Sequence, residues 1–250
     1  MSLADPLALI VLLLGAFAAG FATGFAGFGA ALVASGFWFH ALPAPQVPPL
    51  VAIASVAAHL ISMATLRRPI AWRPAAPMLA GGVVGVPLGV LMLLAATPDR
   101  LRLAAGAFLL GYPLLQTLLA GRLVIGQWGG RPADGLVGLA GGFLGGFAGL
   151  SGALPAVWLN LRGGSADQQR RIYQPFNLMA LSFASVAMAA GGLVTGEMLL
   201  IVATCLPITL FGSWLGARTY LGVSDALFRR CLLALLFASG LVLVGRGLAA

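Results

Sequence analysis

The sequence GFATGFAGFGAALV at residues 20–33 returns in altered form as GFLGGFAGLSGALP at residues 142–155. At a constant offset of 122 the two copies agree at 8 of 14 positions, and both contain the block GFAG. Each copy lies inside a long apolar run, where clustered glycines supply the positive φ angles and close backbone approach that a turn needs. The repeat therefore predicts two broken membrane segments that meet at one binding site.

The composition is that of a membrane protein. The 250 residues are 60% apolar and only 8% charged, with a mean hydropathy of +1.03, whereas soluble domains carry about 25% charged residues. The apolar runs are continuous rather than alternating, which predicts helices and excludes a barrel. The fold class is therefore an all-α polytopic membrane protein. No cofactor is expected.

The apolar runs predict two similar halves within one membrane domain. The first repeat (1–121) contains a broken hairpin and three spans, at 7–22 with 27–41, 47–66, 74–96 and 98–119. A polar linker at 122–134 follows. The second repeat (135–250) contains a hairpin at 135–161 and spans at 172–191, 198–221 and 232–247. Weaker matches pair Pro48 with Pro175 and Ser55 with Ser182 at offset 127, and Pro77 with Pro207 and Gly82 with Gly212 at offset 130.

Arginine decides whether the glycine-rich runs cross the membrane once or fold back. The net charge of +8 comes from fourteen arginines, no lysine and six acids, and arginine concentrates in cytoplasmic loops. If residues 135–161 form a hairpin, 11 of the 14 arginines lie in or beside cytoplasmic loops, all but Arg100, Arg102 and Arg246. A single crossing would invert this distribution for the rest of the chain, so the hairpin is favoured.

The hairpin arrangement predicts inverted repeats. Each half then has a hairpin plus three crossings, so the halves point in opposite directions and both termini lie outside the cell. Inverted repeats with interrupted helices at corresponding positions are typical of secondary transporters, whose substrate lies near the midplane at the repeat interface.

The glycine turns are the predicted substrate site. The second helix of each hairpin begins at the turn, so its N–H groups and positive dipole end favour a small anion. The candidate residues are Gly24, Phe25, Ala26, Gly27, Phe28 and Gly29, with Gly146, Gly149, Leu150, Ser151 and Gly152. The alternative is that these glycines only pack helices together. No Asp, Glu or Arg is expected inside a span, and no metal site is expected.

Polar side chains on the helices that follow the hairpins complete the candidate site. Ser55 and His59 lie on the first of these helices, and Gln174, Asn177 and Ser182 on its counterpart. His59 is a candidate proton-coupling group, with hydrogen-bonded packing as the alternative. The second set either contacts substrate or holds neighbouring helices together, and the pattern alone does not decide between them.

These motifs resemble the sulfite exporter TauE/SafE family. The resemblance rests on GFAGFG (24–29), GFAGLSG (146–152), PQVPP (45–49), RRPIAW (67–72) and the glycine-rich helix at 81–89. It implies a multi-pass carrier in the bacterial inner membrane that exports sulfite, sulfoacetate or another organosulfonate. Family members often have a Thr-Ser pair early in the helices that follow the hairpins. At these positions this sequence has only the serines, Ser55 and Ser182.

Two further functions remain open: an anion channel that uses the same site, and a carrier of a carboxylate without sulfur. An enzyme is not expected, because the spans contain no carboxylate pair, metal cluster or nucleophile with its base. The expected partners are a small anionic substrate and the lipid bilayer. A homodimer is left open, and no nucleic-acid partner is expected.

Overall fold

The described part of the chain is helical. The computed structural model describes residues 6–119 and 124–219 and the single positions 233, 237, 240, 241, 244 and 245. Its helices are α1 (Pro6–Ala26), α2 (Ala30–Ala41), α3 (Val47–Leu66), α4 (Trp72–Ala95), α5 (Pro98–Leu119), α6 (Gly130–Ala148), α7 (Ala153–Arg162), α8 (Ala166–Ala190) and α9 (Gly196–Thr219). A 3₁₀ turn at Ala44–Gln46 precedes α3. The predicted span at 232–247 lies outside the two described ranges.

Five of these helices are long and apolar enough to cross a membrane. They are α1, α3 together with the turn before it, α4, α5 and α9. Because a bilayer core of about 30 Å needs about 20 apolar residues per helix, the chain is a multi-pass membrane protein. This confirms the predicted all-helical class.

Both glycine-rich runs fold as hairpins. In the first, the indole N–H of Trp38 on α2 donates to the carbonyl of Leu12 near the start of α1, at 3.0 Å. In the second, Asp134 near the start of α6 accepts a 2.7 Å hydrogen bond from the Trp158 indole and a 3.1 Å bond from Arg162 at the end of α7. The open ends of each hairpin therefore lie side by side.

The first helix of each hairpin continues further than the sequence predicts. α1 runs through Gly24 to Ala26 rather than ending at Ala22, and α6 runs through Gly146 to Ala148. The reason is tertiary packing. A Cβ on Gly24 would overlap the carbonyl of Ser213 on α9, so glycine here allows two helix backbones to touch rather than making a turn.

The same close packing occurs twice. α1 lies against α9, and α6 lies against α4 in the same way. Equivalent contact residues are 122 positions apart between α1 and α6, and 127 positions apart between α4 and α9. Gly212 of α9 contacts Phe17 and Phe21, as Gly85 of α4 contacts Leu139 and Phe143. Gly212 therefore corresponds to Gly85, and its sequence pairing with Gly82 at offset 130 is wrong. Matching isolated glycines in a glycine-rich helix does not fix the register.

α8 begins earlier than predicted, at Ala166 instead of 172. Ser165 forms a capping box with Gln168: the Gln168 N–H donates to the serine hydroxyl at 3.3 Å, and the serine N–H donates to the Gln168 side chain at 3.1 Å. Such a box satisfies two backbone donors at a helix start. Arg170 and Arg171 thus lie in a helix rather than a loop. α8 is not among the five described helices that are long and apolar enough to cross a membrane, so the predicted absence of arginine from the spans stays a prediction.

The segment assigned to the linker at 122–134 is also partly helical. α6 begins at Gly130, which brings Asp134 into the helix, where its side chain is 10% exposed. The sequence does not reveal this, because the partners that stabilise Asp134 come from α7.

Candidate functional site

The first hairpin turn packs against the start of α8. Gly27 and Gly29 have φ angles of 76° and 103°, a conformation that glycine adopts without steric cost. A Cβ on Gly27 would come within 2.8 Å of Arg170 Nε and 3.0 Å of the Tyr173 hydroxyl. The turn and these two side chains therefore fit together only because residue 27 is glycine.

Arg170 is the central polar residue at this turn. Its side chain is among the largest fully buried ones, and the residue is 1% exposed. It donates to the carbonyls of Phe25 at 3.0 Å and Gly24 at 2.6 Å, and to the Ser62 hydroxyl at 2.9 Å. A longer bond of 3.4 Å reaches the carbonyl of Thr23. The guanidinium thus caps the last carbonyls of α1, where the helix dipole is negative.

Two neighbours extend this cluster. Tyr173 donates its hydroxyl proton to the carbonyl of Ala26 at 2.6 Å, and its ring meets Phe28 edge-on at 5.6 Å between centroids. Gln174 donates to the Ser62 hydroxyl at 3.1 Å. The first turn is therefore held by one face of α8 and the second half of α3.

The second hairpin turn packs against the start of α3. A Cβ on Gly149 would come within 2.6 Å of the Val51 side chain, and one on Gly152 within 2.6 Å of the Asn177 amide nitrogen. The buried Ser151 hydroxyl donates to the Asn177 side-chain oxygen at 3.2 Å. Asn177 on α8 thus contacts the second turn at the point where α7 begins.

Contacts at the two turns also correct the register between α3 and α8. Gly27 lies against Tyr173, and Gly149 lies against Val51, so both pairs are related by an offset of 122. Ser55 therefore corresponds to Asn177. The sequence pairing of Ser55 with Ser182 at offset 127 is wrong. The extra residues of the second half lie between Asn177 and α9, so they change the offset only after that point.

The two turns lie at different depths. The end of α3 adjoins the start of α8, since Arg171 donates to the Pro69 carbonyl at 2.7 Å; the two helices are therefore antiparallel. The first turn is level with Ser62 through Arg170, and the second with Val51. On α8 the two turns are closer, since Gly27 lies against Tyr173 and Gly152 against Asn177, four residues or ~6 Å apart at about 1.5 Å per residue. The sequence predicts turns that meet at one binding site; the structure offsets them along α8 by about one helical turn.

Ser55 and His59 lie on α3 between these two levels. His59 is 2% exposed, and its Nδ1 lies 2.7 Å from the Ser55 carbonyl. Among the described residues, the other ring nitrogen, Nε2, and the Ser55 hydroxyl have no hydrogen-bond partner. Buried polar groups are nearly always hydrogen-bonded, so both atoms are unusual.

Comparison with known proteins gives one match. A model of the family described as "Sulfite exporter TauE/SafE" matches residues 12–243. The chain belongs to this family. No curated protein and no solved structure matches it. TauE/SafE proteins are membrane transporters of sulfur-containing anions rather than enzymes, and the membrane-spanning helices of this chain fit that class.

In this TauE/SafE protein the predicted site residues fall into two groups. Gly27, Phe28, Gly149, Ser151 and Gly152 lie in the turns and contact α3 or α8, the second of which carries Gln174 and Asn177, while Gly29 and Leu150 lie in the turns beside them. Gly24, Phe25 and Ala26 lie at the end of α1, where their carbonyls accept from Arg170 or Tyr173 of α8, and Gly146 lies inside α6 against α4. Ser182 is half-buried on α8, beyond Asn177.

Sequence reasoning misses three residues at the first turn: Ser62, Arg170 and Tyr173. Arg170 is missed because the sequence pattern places it in a basic cytoplasmic loop. The helix-start motif Ser165–Gln168 is the signal that could have revealed it, since a capping box at that point puts Arg170 in the second turn of α8. In the described ranges no group of three or more His, Cys, Asp or Glu side chains could hold a metal ion.

Proposed function

We propose that this TauE/SafE protein is a secondary exporter of a small sulfur-containing anion across the bacterial inner membrane. The expected substrates are sulfite, sulfoacetate or another organosulfonate. The substrate binds between the two hairpin turns, against α3 and α8. The observation that carries the proposal is the set of buried polar groups from α3 and α8 that face both turns.

Inverted repeats are supported by the direction of the packed helices. Along α1 and α9 the contacts advance together, from Gly20 against Thr209 to Gly24 against Ser213, so the two helices run parallel. α1 and α9 therefore start on the same side, which requires an even number of crossings between the end of the first hairpin and the start of α9. A hairpin at α6–α7 provides it, whereas a single crossing there would make α1 and α9 antiparallel. Both termini are then external.

The chemistry of the two turns suits an anion. α2 and α7 begin at the turns, so each turn carries the N-terminal N–H groups and the positive dipole end of a helix. Arg170 adds a full positive charge beside the first turn, and Ser151 with Asn177 adds hydroxyl and amide groups beside the second. A planar guanidinium and backbone amides are well matched to sulfite or sulfonate oxygens.

His59 is the proposed proton-coupling group. It is buried on α3 between the levels of the two turns, and its Nε2 has no hydrogen-bond partner among the described residues. Histidine is the side chain whose ordinary titration range overlaps physiological pH. Proton uptake and release at this position would be coupled to occupancy of an adjacent anion site.

The test is transport of radiolabelled sulfite and sulfoacetate in proteoliposomes. The variants are Gly27→Val, Gly149→Val and the smaller change Ser151→Ala, with Gly111→Ala as control, because a Cβ at Gly111 meets no atom within 4 Å. We expect saturable uptake in the parent, loss in both valine variants and a raised KM in Ser151→Ala. A parent that transports neither anion, or site variants that match Gly111→Ala, refutes the assignment. Flux that does not saturate, with no counterflow, identifies a channel.

A further inference from the structure

A cavity of about 740 Å³ opens at the arginine-rich end of the helices. It lies between the starts of α4, α6 and α8 and the end of α7, and no residue of the two hairpin turns lines it. Four arginines line it, namely Arg73, Arg131, Arg162 and Arg171, and Asp134 is the one acid among its lining residues. We call this cavity the arginine vestibule.

Two of the four arginines are held in place by the protein. Arg162 donates to Asp134 at 3.1 Å and to the carbonyl of Gly130 at 2.8 Å. Arg171 is joined to the loop before α4 through its side chain, which donates to Pro69, and through its carbonyl, which accepts from the N–H of Ala71 at 3.1 Å. These bonds orient the guanidinium groups before any ligand arrives, which lowers the cost of ordering them on binding.

The vestibule retains a net positive charge. Asp134 is paired with Arg162, and the nearby Asp167 is paired with Arg68 at 3.1 Å. Arg73 and Arg131 are exposed at the rim, and within the described ranges neither takes part in an ion pair. A concave surface lined by charges of one sign concentrates counter-ions and raises their association rate.

We propose that the arginine vestibule is a second anion site, which captures the small oxyanion substrate before it reaches the hairpin turns. This rests on the proposed function for its role in transport. The ligand chemistry is that of a tetrahedral or pyramidal oxyanion, such as sulfite or a sulfonate, held by guanidinium groups and by the side-chain amides of Gln127, Gln168 and Gln169, which also line the cavity. An anionic lipid headgroup shares this chemistry and is distinguished by the test.

The transport arm uses everted membrane vesicles, in which the arginine-rich end faces the medium in the proposed orientation. Radiolabelled sulfite uptake is measured at low and high ionic strength for the parent, the double variant Arg73→Gln/Arg131→Gln, and the control Arg100→Gln. Arg100 is an equally exposed arginine on the first turn of α5, at the opposite end of α4. We expect KM to rise about fivefold in the double variant at low salt, from the Coulomb attraction of two charges across a water-filled cavity. Its maximal rate should stay near that of the parent.

Salt provides a second readout. In the parent, KM should rise as salt increases, because the screening length falls from about 30 Å at 0.01 M to about 3 Å at 1 M. In the double variant this dependence should be weaker, because only Arg162 and Arg171 remain in the cavity, while Arg100→Gln should keep the dependence of the parent. Equal KM and equal salt dependence in the parent and the double variant would overturn the proposal even where the parent transports sulfite normally.

A binding arm separates the vestibule from the proposed function. Thermal stabilisation of the purified protein by inorganic sulfate is measured for the same three proteins, and we expect the shift to fall in the double variant alone. If the parent transports no sulfite but this pattern holds, the transport function fails and the anion site stands. If sulfate gives no shift that depends on Arg73 and Arg131, the site itself is refuted.

Lipid is tested with phosphatidylcholine liposomes prepared with and without phosphatidylglycerol. Stabilisation by phosphatidylglycerol that is lost in the double variant, together with an unchanged KM for sulfite, would show that a lipid headgroup occupies the vestibule. That result would overturn substrate capture. A KM difference that is the same in both lipid mixtures supports it.

Discussion

Replacing Arg170 with methionine should destabilise this protein more than any other single arginine change in its described helices. Methionine keeps an unbranched apolar stem of similar reach but removes the guanidinium. Three bonds of 2.6–3.0 Å are lost, to the carbonyls of Gly24 and Phe25 and to the Ser62 hydroxyl. All three acceptors are then left inside the helix bundle without this donor.

The magnitude follows from burial and bond type. A hydrogen bond to a charged group contributes about 1.5–3 kcal/mol, although bonds within membrane proteins average only about 0.6 kcal/mol. Removing the donor also leaves buried acceptors unpaired, which costs about 1–3 kcal/mol for each group that finds no other partner. With Arg170 only 1% exposed, solvent cannot replace the lost donors. We therefore expect a loss of about 3–5 kcal/mol.

Arg171 provides the matched control. It is the next residue on the same helix turn, but it is only partly buried and its side chain makes one described bond, to Pro69. Arg171→Met should cost about 1 kcal/mol or less, in the range of exposed polar contacts. The free energy of unfolding is measured by titration of detergent micelles with a denaturing detergent, followed by circular dichroism. Equal losses for the two variants would refute the cap that Arg170 forms on α1.

Arg170→Lys separates the structural role from the electrostatic one. Lysine keeps the charge, but its single ammonium lacks the planar fork that reaches several acceptors at once. We expect stability between the parent and Arg170→Met, and residual sulfite transport that exceeds that of Arg170→Met after correction for folded protein. Identical transport by the two variants would show that the charge at this turn does not act on the substrate.

Three further predictions concern packing, a helix cap and the second hairpin. Gly24→Ala should lower the free energy of unfolding by about 1–3 kcal/mol, because its methyl group meets the backbone of α9 in a close-packed interface. The control Gly111→Ala should be neutral or slightly stabilising. A higher melting temperature for Gly24→Ala than for Gly111→Ala would contradict the packing. Ser165→Ala should lower the free energy of unfolding by about 1 kcal/mol through loss of the capping box, and amide hydrogen exchange should become faster only in the first turn of α8. Unchanged exchange in that turn would argue against the capping box. Asp134→Asn should lower the free energy of unfolding by about 2 kcal/mol, because it weakens the bond to Arg162, and it should increase proteolysis at 124–130. A variant that resists proteolysis as well as the parent would show that this ion pair does not hold the hairpin closed.

Most of the helix order could be predicted from apolar run length, because a bilayer of constant thickness requires spans of similar length. α3 at 47–66 and α5 at 98–119 match their predicted bounds. Boundaries set by local capping were predicted less well, as α8 shows. The arginine distribution also predicted that the second glycine-rich run returns to its starting side, because loop charge responds to membrane topology. No arginine precedes Arg67, so for the first run the hairpin rests on its similarity to the second.

The candidate site was predictable in part. The repeated glycine block led to the turns at Gly27 and Gly149, since positive φ is a local property of the chain. Arg170 was not predictable in the same way, because its partners at residues 24 and 25 are distant in sequence. Contacts between halves depend on helix register, which weak glycine matches do not specify.

The sequence alone therefore determined that this chain spans a membrane, contains two glycine-broken hairpins and resembles an anion carrier. The first two properties follow from composition, local backbone requirements and charge at loops, and the resemblance rests on motifs such as GFAGFG (24–29) and RRPIAW (67–72). Only the tertiary structure decided that Gly24 and Gly146 pack helices, that the two turns lie at different depths, and that Arg170 is buried against the first turn. Those features depend on which helices touch and at what height, and long-range contacts of this kind leave no pattern in a single sequence.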